Sequence, residues 1–76
     1  MFIFKCKDVA SIGIGVEVIS LTGRSGVIIE ESDMRDSDGS YGKGFVISYY
    51  GSTDKSWIAL SDIMYNWNDR FAFESN

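Results

Sequence analysis

Residues 15–31, Gly-Val-Glu-Val-Ile-Ser-Leu-Thr-Gly-Arg-Ser-Gly-Val-Ile-Ile-Glu-Glu, hold the pattern that decides the fold. Two runs rich in β-branched residues, Val16–Ser20 and Val27–Glu31, flank a short connection carrying Gly23 and Gly26. Val and Ile stiffen the backbone toward extended conformations, and glycine supplies the positive φ that a tight reversal needs. The stretch therefore reads as a β-hairpin. Val16, Val18 and Ser20 share one face of its first strand, opposite Glu17 and Ile19. In its second strand Val27 and Ile29 share a face, opposite Ile28 and Glu30.

Upstream, Phe2, Phe4 and Cys6 alternate with Ile3, Lys5 and Lys7, the period of a half-buried strand. Gly13 and Gly15 bracket Ile14 between the two strands. This Gly-x-Gly lacks the third glycine of a dinucleotide loop and precedes a strand rather than a helix, so it reads as a bent connection. Downstream, residues 31–44 are rich in Asp, Ser and Gly and read as a long acidic loop, at about 32–44. Strand character resumes at Phe45–Tyr50, with Phe45, Ile47 and Tyr49 on one face. After the turn at Gly51–Lys55 comes a strand over Ser56–Ser61, in which Trp57 and Ala59 oppose Ile58 and Leu60. In the tail, Ser61 or Asp62 is positioned to cap one helical turn carrying Ile63, Met64 and Trp67. Arg70–Glu74 alternates again, and as a last strand it places Phe71 and Phe73 beside Phe2 and Phe4 if the two ends pair.

Seventy-six residues make one domain, residues 1–76, close to the lower limit for folding alone. Five Phe, four Tyr and two Trp supply the bulk that lets so short a chain build a core. Five or six short antiparallel strands, with no helix long enough to cover a sheet, bury their apolar faces by curling. The expected fold class is all-β: a small closed or partly closed barrel.

Eleven Asp and Glu against seven Lys and Arg leave a net charge of −4, which argues against non-specific phosphate binding. One cysteine and no histidine exclude an internal disulfide and a tetrahedral zinc site. Asp33, Asp36, Asp38 and Gly39 invite a calcium reading. With Asp36, Asp38 and Gly39 at loop positions three, five and six, Met34 falls at one and Phe45 at twelve, where a calcium loop needs acids. No metal and no cofactor are expected. Without histidine, an activated serine or a carboxylate pair in a dry pocket, the chain does not read as an enzyme. No membrane span or secretory leader is visible, so a soluble, cytoplasmic protein is expected.

Val16-Glu-Val-Ile-Ser followed by Gly23-Arg-Ser-Gly-Val-Ile resembles the KOW-type segment of small SH3-like barrels. Phe45-Val-Ile-Ser-Tyr-Tyr-Gly and Ser56-Trp-Ile-Ala-Leu-Ser-Asp-Ile resemble the second half of Tudor-like barrels. The likeness spans about residues 15–63. It implies an SH3-like barrel of Tudor/KOW type, and modules of this kind bind nucleic acid, peptides or methylated side chains. On this resemblance Arg24 is the basic turn residue, and Tyr49, Tyr50 and Trp57 are the aromatic candidates.

Two function classes follow. In the first, the chain is a non-enzymatic accessory or regulatory module docking on a larger protein assembly. Glu30, Glu31, Asp33, Asp36 and Asp38 would attract a basic partner, with Tyr41, Tyr50 and Trp57 as anchors. In the second, a KOW/Tudor-like protein of transcription or translation binds nucleic acid through Arg24, Lys43, Tyr49 and Lys55. Strand-edge pairing into a small homo-oligomer is a third possibility beside a monomer. Tyr49 and Tyr50 must point to opposite faces. Core packing is the ordinary use of an aromatic such as Trp57, and the sequence leaves open which of these three is exposed.

Overall fold

The computed structural model describes residues 1–35, 41–67 and 70–73. Six strands form one sheet: β1 (Phe2–Phe4), β2 (Glu17–Ile19), β3 (Ser25–Arg35), β4 (Tyr41–Tyr49), β5 (Lys55–Ala59) and β6 (Phe71–Phe73). One short helix, α1 (Leu60–Asn66), joins β5 to β6. The spatial order is β5-β4-β3-β2-β1-β6, and the sheet curls into a half-barrel. Among the described residues no helix is long and apolar enough to cross a membrane.

The opening hairpin pairs Glu17 with Val27 and Ile19 with Ser25. Its turn closes through Ser20, whose N–H donates to the Arg24 carbonyl (2.8 Å) and whose carbonyl accepts from Gly23 N–H (2.9 Å). Gly23 has φ +83°, the left-handed conformation that glycine adopts without steric cost. Gly26 serves differently. It lies inside β3, where a Cβ would sit 2.6 Å from the Ser48 carbonyl oxygen and 3.0 Å from Ile47. Its lack of a side chain lets β3 and β4 approach.

The core lies in the hollow of the curl. Phe4, Val18, Ile28, Phe45, Ile47, Tyr49 and Ile58 project inward from five strands, joined by Phe71 from β6 and Ile63 from α1. The expected inward face of β4 is thus as read: Phe45, Ile47 and Tyr49 are all buried. The two ends of the chain do pair. Phe2 lies opposite Phe71 and Phe4 opposite Phe73. Their rings stack, at 5.8 Å for Phe2–Phe71 and 5.7 Å for Phe4–Phe73.

Several expectations need correction. The acidic segment at about 32–44 is not a loop throughout: β3 runs on to Arg35 and β4 begins at Tyr41. Polar composition marks the far end of a long hairpin that has left the core, since its pairing with a neighbouring strand needs no apolar face. The sheet is not wholly antiparallel, because β6 follows α1 back across the fold and pairs β1 in parallel. The barrel is partly closed, one of the two expected forms, with β5 and β6 at opposite ends of the order. The first strand ends at Phe4, short of the alternation read through Lys7. Lys5 pairs with Glu17 at 3.5 Å. At α1 the cap position falls on Ala59, without a side-chain bond, and Ser61 and Asp62 lie inside the first turn.

Candidate functional site

Period two divides each strand between the hollow and the outside of the curl. Phe45 opposite Ile58, and Ile28 opposite Ile47, face the core. The intervening pairs therefore face outward: Val46 with Trp57, Val27 with Ser48, and Ser48 with Lys55. Between Ile28 and Glu30 the β3–β4 register slips by one, making Ile29 the extra residue of a β-bulge. The slip sets Glu30 opposite Val46 on the outer face and Glu31 opposite Phe45 on the inner side of the sheet.

This outer face carries large apolar groups in the open. Trp57 is 46% exposed, Tyr50 57% and Ile29 41%, beside the half-buried Val27 and Val46. Ordinary core use of Trp57 is overturned. Its indole lies across Gly44, so closely that a Cβ on Gly44 would collide with the ring. The ring is thus held against backbone on one side and bare on the other. Gly44 and Trp57 act as a unit, the glycine providing the seat and the indole covering it.

Tyr49 and Tyr50 part as adjacent strand residues must. Tyr49 is 6% exposed, and its hydroxyl donates to Ser56 Oγ at 2.8 Å. It is therefore no stacking platform for a base, contrary to its place among the nucleic-acid candidates. The Arg24 guanidinium covers the ring's remaining surface, 4.4 Å from its centroid, and also pairs with Asp54 at 3.2 Å. Lys43 pairs with Glu31 at 3.5 Å and lies 6.0 Å from the Phe45 ring centroid. Of the four residues read as nucleic-acid contacts, then, Tyr49 is buried, and Arg24 and Lys43 form ion pairs with carboxylates of the same chain that stay open to water. Lys55 stands exposed at the end of β5 nearest Tyr50.

Among the described residues the acidic candidates divide between the two faces, with Glu31 and Asp33 lining one hollow beside Lys43 and Glu30 apart from them. Glu30 is on the outer face, Glu31 faces the other way toward Lys43, and Asp33 stands across from Lys43 in the hairpin. Asp36 and Asp38 lie outside the described residues, as does the side chain of Tyr41. Among the described residues, no group of three carboxylate or thiol side chains is placed to hold a metal ion. Cys6 is half-buried against the core, and burial, more than the nearby Asp8 charge, pushes its thiol above the ordinary range.

Sequence reasoning missed Ile29 and Val46 as surface groups, and the seat at Gly44. The alternation around Phe45 did imply an outward Val46, and Ile29 shares the outward face of Val27 as read. The bulge instead corrects Glu30, read on the face of the buried Ile28, by setting it opposite Val46 on the outer face. No family model matches the chain, and neither a curated protein nor a solved structure shows significant similarity to it.

Proposed function

We propose that the chain is a small SH3-like barrel module without enzymatic activity, an accessory or regulatory protein that docks on a larger protein assembly. The observation that carries this reading is the outer sheet face, where Trp57, Ile29, Val46 and Tyr50 present apolar surface beside Glu30. A rigidly seated indole is the kind of anchor that dominates protein interfaces, because little side-chain freedom is lost when a partner covers it. The consecutive antiparallel strands β2 to β5, curled and followed by a single helical segment, support the barrel type.

The nucleic-acid reading has less behind it. Phosphate contacts need cations free to displace counterions. Arg24 and Lys43 already have carboxylate partners, and the chain as a whole is acidic.

The test is capture from host lysate by the tagged chain, with and without nuclease, set beside the variants Trp57→Ala and Tyr50→Ala. The expected result is a discrete protein retained after nuclease and lost with Trp57→Ala while the fold is kept. Release of all captured material by nuclease would transfer the reading to nucleic acid.

A further inference from the structure

We infer that the free edge of β5 accepts an extended, basic segment of the partner protein as a seventh strand of the sheet. This rests on the docking reading above and gives the partner its form. In an antiparallel pair, residues alternate between those bonded across the ladder and those turned away from it. Tyr49 N–H donates to the Asp54 carbonyl at 3.3 Å, which sets the phase. Ser56 and Ile58 then point their backbone polar groups toward β4. Lys55 and Trp57 point both N–H and C=O away from it, and Ala59 points its N–H, its carbonyl being directed into the first turn of α1. Among the described residues these groups have no other backbone partner. Such a row is a template for one more strand.

The space beside that edge suits a strand. Between β5 and the opposite end of the sheet lies an open cleft of about 380 Å³. The buried Ile58 and Phe71 and the half-buried Phe2 line it, together with the exposed Trp57 and Asp62. Alternate side chains of an incoming strand would meet two environments: apolar rings and Ile58 on the inside, the Trp57 indole on the outside. The strand would partly bridge the gap that leaves the half-barrel open.

Charge selects the occupant. Asp62 is the charged group that lines the cleft. Glu30 is set back from the free edge behind β4 and β5, and Lys55 stands exposed at the start of β5, outside the cleft lining. A second copy would bring its own net charge of −4 to this edge, whereas Lys or Arg on a partner strand entering the cleft would meet Asp62.

The probe is a short, end-capped peptide alternating valine and lysine, added to the isotopically labelled full chain and followed by amide hydrogen exchange. Exchange at Lys55, Trp57 and Ala59 is expected to slow by about tenfold or more, with smaller changes at Ser56 and Ile58, which already bond to β4. Methylating one alternate set of peptide nitrogens is expected to abolish binding. Replacing lysine by glutamate is expected to weaken it by about tenfold or more. Saturating peptide that leaves the three amides unprotected would overturn strand addition, and if Trp57→Ala still abolishes lysate capture, the docking reading stands without it. Protection of the same amides on concentrating the chain alone, with a dimer in sedimentation, would assign the edge to a second copy and overturn the basic-partner assignment.

Discussion

Phe45 and Val46 are neighbours in sequence and meet opposite surroundings. Phe45 is sealed between Ile58 and the rest of the core, while Val46 lies on the outer face between Glu30 and Trp57. The same contrast runs along β5, where Ile58 is buried and Trp57 is bare. One set of strands thus supports two apolar surfaces, and only the inner one is covered by the chain itself. The inner face carries stability. The outer face leaves an indole in water, and on the docking reading proposed above it is the surface that a partner covers.

The sharpest way to break this contrast is to truncate a residue on each face. Phe45→Ala is expected to cost about 3–5 kcal/mol, a large part of what so small a domain has, and urea unfolding will measure it. Close behind comes Gly26→Ala, whose methyl group meets the Ser48 carbonyl at 2.6 Å. Forcing β3 and β4 apart should cost about 1–3 kcal/mol, read as a lower unfolding midpoint. Trp57→Ala should cost about 2 kcal/mol, since only a little more than half of the residue is covered, yet it should remove partner capture. A Trp57→Ala loss as large as that of Phe45→Ala would mean that the outer ring is structural.

The smallest effect concerns Cys6. Burial raises its thiol pKa, so the folded chain holds that proton in alkali after the unfolded chain has begun to release it. The sign follows directly. Its contribution to stability is full below the unfolded thiol's ordinary pKa and is lost as pH rises through the folded one. Alkylation near pH 9 should accordingly be slower in the folded chain than in urea, and Cys6→Ser should flatten the alkaline decline in stability.

Much of the fold was legible because it depends on local pattern. The strand alternation located Phe45, Ile47 and Tyr49 in the core, and paired aromatics at both ends placed Phe71 and Phe73 beside Phe2 and Phe4. What remained hidden depends on pairing between distant segments. The extension of β3 to Arg35 is sustained by β4, a partner that polar composition does not reveal. The parallel match of β6 to β1 follows from the path of α1. The candidate site was legible in its residue types, Trp57 and Tyr50 among them. Its assembly was not, because the bulge at Ile29 and the seat at Gly44 exist only once the strands are in register.

The parallel pairing of β1 with β6 also gives the molecule a history during synthesis. The hairpins from β2 through β5 join segments made one after another, so they can form as the chain emerges. β1 appears first, yet its stacking partners Phe71 and Phe73 are among the last described residues to appear. At about 5–20 residues per second, translation separates them by roughly 3 to 14 seconds. Throughout that interval Phe2 and Phe4 lack the aromatic neighbours that enclose them in the finished fold, and the nascent chain presents them to whatever waits at the ribosome.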